Sequence, residues 1–413
     1  MSKDTRVTNS ESKNMDRRKF LKNSMLGTVG AGLTFWGGSD LWAANKSPLI
    51  TRPLGPGEQY KVGILGCGNR SKSHISALND VPEIAIAALC DLVPHKMKRR
   101  AELIDQGPAP AMYTDMEEMF GQQELDAVAI VLPNYLHTEP TIAALEAGKH
   151  VLLEKPMALT VPECNDIMAA AERSRRALQI GTQRRHSDNF NILVETIRES
   201  PLGQLLQSDV SSYRGDWRVP GNDEYPPGVD YWRLDQQKCG GVVYEMGAHI
   251  IDVNNWVFDS EPVAVTSMQS VNNHTLRSRD STDHAGVLVR YANGALMNYG
   301  GNLYNYGPNT PDYFFGENGS VEFTGGEVSI RYGQPKGVPT RGEVPEPQNK
   351  SLPDRNGTLG QWKHFTRVLA GEAKPYPDGY MGRQTIQICQ GAVLAAREGR
   401  TVEVDELDTI AEL

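Results

Sequence analysis

The chain has 413 residues, 39% of them hydrophobic and 23% charged, with a formal net charge of -9. That length predicts two domains, and the composition is that of a globular protein, not a fibrous or disordered one. The acidic balance argues against a phosphate-backbone partner, so no nucleic acid is expected. Cys67, Cys90, Cys164, Cys239 and Cys389 lack the paired spacing of a zinc site, and their odd number cannot complete an intramolecular disulfide set, so no metal is expected.

The first feature along the chain is MDRRKFLKNS, in which Arg17 and Arg18 precede the apolar, glycine-rich stretch NSMLGTVGAGLTFWGG. That stretch has the length of a signal's apolar region and is too short for a membrane helix. The paired arginines resemble a bacterial twin-arginine signal. The resemblance implies export to the periplasm or beyond, through the twin-arginine machinery, of a protein already folded around a cofactor. Ala43 and Ala44 offer small residues for cleavage, but Leu41 or Trp42 stands three residues before the cut, so cleavage and retained anchoring both stay open. Residues 1–44 read as the signal region and 45–59, rich in proline and glycine, as a linker or surface strap.

From Tyr60 the pattern becomes regular. YKVGILG reads as a short buried strand that passes through a glycine turn into a helix within CGNRSKSHISALND. IAIAALCD, LDAVAIVLP, HVLLEKP and ALQIGTQ read as further strands. Pro140 to Glu146 reads as a helix with Gly148 just past it, and Thr160 and Glu163 have the spacing of a capping box. Strands alternating with helices predict a parallel sheet covered on both faces, over 60–184.

Beyond Asn189 the runs lengthen and alternate, as in LLQSDVSSYRG, AGVLVRYANGALMNYGG and GSVEFTGGEVSIRYG, with hairpin signals at Asn293-Gly294 and Asn318-Gly319. Residues 185–413 are therefore predicted to form a substrate and oligomerisation domain of the α+β kind, with a large, mostly antiparallel open sheet. Gln334 to Asn356, polar and rich in proline, reads as a long exposed loop. QWKHFTRVLAG and RQTIQICQGAVLAAREG read as closing helices that pack back on the first domain. The chain as a whole is of the α/β class.

VGILGCGNRS places Gly66 and Gly68 between strand and helix, where backbone N–H groups and a helix N-terminus can meet a pyrophosphate. Ser71 stands where a third glycine is usual and is small enough for close packing; Asn69 and Arg70 complete the turn. Asp91, at the end of the second strand, can accept both ribose hydroxyl hydrogens and would repel a ribose phosphate, which favours NAD over NADP. Arg70 and the basic run HKMKRR are the residues that could offset such a phosphate, so NADP stays open.

AVAIVLPNYLHTEPTIAALEAGKHVLLEKPMAL and, farther on, YWRLDQQKCGGVVYEMGAHIIDVNNWV carry two signatures in order: a PN..H loop with AGKHV and EKP, then a glycine pair before a helix with an acid, a histidine and another acid. Together they resemble the oxidoreductase family of glucose-fructose oxidoreductase and inositol dehydrogenase. The resemblance spans nearly everything after the leader. It implies that Lys155, Glu245 and His249 form the catalytic group and that Pro133, Asn134, His137, Glu154 and Lys155 lie near the cofactor. Two departures stand out: relatives usually carry aspartate where this chain has Glu245, and Val242 replaces a frequent third glycine.

The chemistry agrees with the pattern. Oxidising an alcohol needs a base for the hydroxyl proton while hydride leaves to nicotinamide. Glu245, His249 and Asp252 stand at i, i+4 and i+7, so a regular helix presents them on one stripe, His249 as base and an acid orienting its ring. Lys155, held by Pro156, can place an ammonium on the substrate oxygen. Trp232 and Arg233 pair an aromatic face with a guanidinium, a way to hold a sugar. Arg184, Arg185 and His186 lie at the end of the parallel sheet, where ligands gather.

An exported dehydrogenase that released its cofactor would stop after one turnover, so tightly bound NAD recycled in place is expected. A sugar, glycoside or cyclitol would be oxidised and a second carbonyl compound reduced. Alternatively, transient oxidation, elimination and re-reduction would cleave a glycoside, or the protein binds sugar without turnover. The open sheet face and the resemblance imply a homodimer or homotetramer.

Overall fold

The structure is a computed structural model that describes residues 48–122, 124–216, 224–225, 231–272, 279–304, 310–333, 348–352 and 357–413. Residues 1–44, expected as a signal region, lie outside the described residues, as do most of those between 216 and 231.

Six parallel strands form the first sheet: β1 (Tyr60–Leu65), β2 (Ile84–Cys90), β3 (Ala111–Tyr113), β4 (Ala127–Ile130), β5 (His150–Glu154) and β6 (Leu178–Gly181). Their order, β3-β2-β1-β4-β5-β6, reverses direction between β1 and β4, the switch point at whose carboxyl ends sheets of this kind bind ligands. The strands are buried on both faces: Val62 and Ile64 of β1, all of β4 and Val151, Leu152 and Leu153 of β5 are covered. Helix Val161–Ser174 starts at the predicted capping box, Thr160 accepting from the Glu163 N–H. Helices Pro94–Ala101 and Met116–Gln122 and the short β3 add to the sequence reading, which saw only a basic run there.

The second sheet has nine strands: β7 (Leu205–Tyr213), β8 (Pro262–Ser270), β9 (His284–Tyr291), β10 (Leu296–Asn302), β11 (Asp312–Gly316), β12 (Gly319–Phe323), β13 (Glu327–Tyr332), β14 (Gln348–Ser351) and β15 (Val402–Glu403). Among the described strands of this sheet only β7 and β10 pair in parallel; its other ladders are antiparallel. β9 and β10 join through a turn at Asn293 and Gly294, as the sequence predicts. The loop expected over Gln334–Asn356 contains β14, an exposed edge strand whose polar side chains hid it from a hydrophobicity argument. The rest of that segment lies largely outside the described residues.

One inner face of this sheet packs on helices Ala248–Phe258 and Gly379–Glu398. The closing helix Gly357–Leu369 returns to the first domain, where Trp362, Phe365, Val368 and Leu369 pack with Val62, Ile64 and Ile75. Residues 50–52 strap the opposite edge of the parallel sheet: Ile50 N–H donates to Arg175 O at 2.9 Å and Arg52 N–H to Leu369 O at 3.2 Å. All five cysteines are buried and free. No described helix is long and apolar enough to cross a membrane.

Candidate active site

At the end of β1, Gly66 has φ +97°, and a Cβ there would meet Val131 O at 2.4 Å. Only glycine passes this turn. Gly68 is different: its φ is an ordinary -72° and no atom lies within 4 Å of where a Cβ would stand. It is the N-cap of helix Asn69–Leu78, with no side chain to cap the turn, and the first turn of that helix carries no acid. Free N–H groups, the positive end of the helix and open space fit a pyrophosphate. Ser71 is buried and donates to Gly68 O at 2.6 Å, and Asn69 is exposed at the start of the helix. Asp91 follows β2; one carboxylate oxygen accepts the Cys67 N–H at 2.8 Å and the other the Val93 N–H at 2.9 Å. The acid thus stands beside the glycine turn with lone pairs left for ribose hydroxyls.

The basic run after β2 is already engaged. Arg100 donates to Gly68 O at 2.9 Å and to Ser71 Oγ at 3.0 Å, bracing the turn from behind. Glu224 pairs with Arg99 at 2.6 Å and with Lys96 at 3.9 Å. These partners come from another helix and another domain, so no local motif reveals them.

Arg70 turns to the end of β5, where its Nε donates to Glu154 at 2.7 Å, and its Nη2 is buried without a partner. Glu154 also meets His74 Nε2 at 2.9 Å, while His74 Nδ1 accepts from Trp362 Nε1 at 3.0 Å. Because an indole only donates, the His74 proton sits on Nε2 and points at Glu154. Burial opposes the Glu154 charge, but Arg70 and His74 outweigh it and hold the carboxyl well below the usual range. Glu154 is therefore a buried anchor for the next residue, and His74 and Trp362 are partners the sequence reading missed.

That next residue is Lys155, whose Nζ donates to the backbone oxygen of Glu245 at 3.1 Å. Burial lowers its pKa, the charges of Glu245 and Glu154 oppose this, and Arg233 and Arg70 add to it. Glu245 does not lie on the stripe expected of it. Residues Val243–Gly247 form a π-turn before the helix Ala248–Phe258, and the extra residue rotates Glu245 out of register with His249. Its carboxylate accepts from Asn134 Nδ2 at 2.8 Å and Arg233 Nε at 2.5 Å. Burial works against its charge, but Arg233 and Lys155 keep its pKa below the ordinary value.

Among the described residues no acid is bonded to His249 to orient it. Its Nδ1 is buried without a partner, and burial, then the charges of Lys155 and Arg184, hold it well below its ordinary pKa, so the ring is neutral. Asp252, expected as an alternative orienter or substrate contact, is buried with both oxygens on Arg185 Nε at 2.9 and 3.0 Å. That pair and the His186 bond to Tyr376 O at 2.8 Å make Arg185, His186 and Asp252 structural.

His137 also departs from expectation: its ring nitrogens face Pro156 O at 2.6 Å and Leu132 O at 2.9 Å, so neither is left for a nicotinamide ribose. Asn134 sits in the same turn, opened by Pro133, and its amide goes to Glu245 and to Cys239 O. Trp232 is buried, with the Arg233 guanidinium 4.3 Å over its ring, so that cation covers the face expected to take a sugar. Arg184 lies 4.9 Å over the ring of Phe190 and its charge reaches His249.

A glycine turn, an acid at the end of β2 and a lysine and histidine at the carboxyl edge of the sheet define the class: an NAD-binding oxidoreductase acting on CH–OH groups. The profile described as "Oxidoreductase family, NAD-binding Rossmann fold" matches residues 60–182 and that of the "GFO/IDH/MocA C-terminal domain" matches 191–322. The chain belongs to the GFO/IDH/MocA oxidoreductase family. Among its relatives, scyllo-inositol 2-dehydrogenase (NADP(+)) IolW of Bacillus subtilis is 26% identical over 369 residues, 84% of this chain and 97% of that protein. The uncharacterized oxidoreductase YrbE of the same organism is 25% identical over 242 residues, 58% of this chain and only 66% of that protein. The solved aldose-aldose oxidoreductase of Caulobacter crescentus, complexed with glycerol, superposes with TM-score 0.69 at 24% identity, over 84% of this chain and 100% of that one.

Proposed function

We propose that this protein is an exported oxidoreductase that keeps NAD bound and oxidises a hydroxyl of a sugar, glycoside or cyclitol. The observation that carries the reading is the convergence of Lys155 and the neutral His249 beside the open glycine turn. Gly66, Gly68, Asn69, Arg70, Ser71 and Asp91 would hold the dinucleotide, which supplies a hydride acceptor when bound. The Lys155 ammonium would bind the substrate oxygen and stabilise negative charge as the proton leaves, and the neutral His249 ring would take that proton. Glu245 would fix Lys155 through its backbone oxygen while its carboxylate stays on Arg233 and Asn134. NAD is favoured over NADP because Asp91 stands at the ribose position and Arg99, Arg100 and Lys96 already have partners.

Export through the twin-arginine route and recycling of the cofactor by a second carbonyl compound rest on the RRKFLK segment and on the lack of a dinucleotide pool outside the cytoplasm. The name of the Caulobacter relative fits such a two-sugar exchange. Exposed Met268 and Leu288 on the outer face of β8 and β9 support a second copy of the chain there. The test is to purify folded protein from the periplasm, read its dinucleotide absorbance, and add sugars and cyclitols singly and in pairs. Reduction by one compound and recovery with another supports the proposal; release of aglycone without net reduction supports glycoside cleavage instead.

A further inference from the structure

Arg70, Arg233 and the carboxylates Glu154 and Glu245 act by their charges on Lys155, and Arg70, Lys155, Arg184 and Glu154 on His249. Both carboxylates are taken, Glu154 by Arg70 at 2.7 Å and Glu245 by Arg233 at 2.5 Å. Lys155 has a backbone oxygen. Arg184, half-buried, has neither: among the described residues it forms no ion pair and donates no side-chain hydrogen bond. The acids whose charges act on it are Asp312 and Asp252. Asp252 is held by Arg185, and Asp312 accepts the Ser211 N–H at 3.1 Å while burial pushes its carboxyl up to about 6. Neither acid forms an ion pair with Arg184 among the described residues.

A guanidinium cannot shed its proton to escape this position, and Phe190 under its plane fixes its orientation. Arg184 follows β6 at the carboxyl edge of the parallel sheet, within the electrostatic reach of His249. Such a cation is satisfied when a ligand brings a planar anion that the guanidinium can grip with two hydrogen bonds. We propose that Arg184 binds a substrate carboxylate and that the physiological substrate is an acidic sugar or cyclitol derivative, such as a uronate or an aldonate. This rests on the hydride-transfer reading above and narrows its substrate class. A single planar guanidinium matches a singly charged carboxylate better than a phosphate, which commonly gathers several donors.

The test is calorimetric binding, in excess NAD, of D-glucuronate, D-galacturonate and D-gluconate against D-glucose, D-galactose and glucitol, with D-glucose 6-phosphate as a further probe. At least one acid should bind about tenfold or more tighter than its neutral partner, the worth of one charge-assisted bond. Arg184→Gln should erase that preference and Arg184→Lys should keep part of it, with NAD affinity unchanged in both. Equal affinities within every pair, a preference that survives Arg184→Gln, tightest binding of the phosphate, or no binding of any acid would each overturn the proposal. The wild-type comparison decides even if a variant fails to fold. Reduction of bound nicotinamide by neutral sugars alone would leave the oxidoreductase reading standing without this inference; acid binding without any reduction would do the reverse.

Discussion

The Glu245 carboxylate faces Arg233, at 2.5 Å, and not His249. An acid four residues before a histidine on a regular helix would steady its ring, but the π-turn over Val243–Gly247 redirects this one. The Glu245 charge therefore raises the Lys155 pKa, and among the described residues no carboxylate is hydrogen-bonded to His249.

Arg233→Met should move the alkaline limb of the rate profile upward. Arg233 lowers the Lys155 pKa and Glu245 raises it, so removing the arginine leaves Glu245 unopposed. The ammonium then survives to higher pH. A limb that stays in place or moves down in kcat/KM against pH contradicts the link.

The acid limb should lie below the ordinary histidine value. His249 must be neutral to take a proton, and burial with Lys155 and Arg184 nearby lowers its pKa well below 6.5, so the ring stays neutral until the pH falls beneath that lowered value. Steady-state rates between pH 4 and 8 check this. A limb centred at or above 6.5, removed by substituting His249, would be inconsistent with an unpartnered ring.

Two glycine substitutions should separate fold from binding. Gly66→Ala meets Val131 O at φ +97° and should destabilise the protein by roughly 2 kcal/mol or more. Gly68→Val meets nothing within 4 Å, so thermal unfolding should hardly change while NAD affinity drops about tenfold or more. Equal unfolding temperatures for Gly66→Ala and wild type, or unaltered NAD titration in Gly68→Val, would place the dinucleotide elsewhere.

Asp252→Asn should cost about 3–5 kcal/mol in denaturant unfolding because Arg185 is left charged and buried. The acid limb should stay where it is, since Asp252 does not touch His249. Asp252→Leu combined with Arg185→Met should recover most of the loss. A shifted limb would return Asp252 to the role of orienting the ring.

Much of the parallel sheet was legible because its strands are short apolar runs between turn residues, and the Thr160–Glu163 box and the Gly66 turn are local chemistry. Glu245, His249 and Asp252 were legible as polar residues on one helix, but their partners were not. Asn134 and Arg185 come from distant segments, Arg233 lies on a separate short turn before Glu245, and the π-turn that redirects Glu245 follows from tertiary packing that no spacing rule encodes. β14 was hidden for the opposite reason: as an exposed edge strand it buries little and carries no apolar alternation.

The most direct test is a single-turnover reduction of protein-bound nicotinamide by the panel of neutral and acidic sugars and cyclitols, in wild type and Lys155→Met. The account predicts reduction by at least one of these alcohols in wild type and a loss of about a hundredfold or more in the variant, with NAD still bound. Protein that holds no nicotinamide dinucleotide, or reduction that proceeds as fast in Lys155→Met, would contradict it.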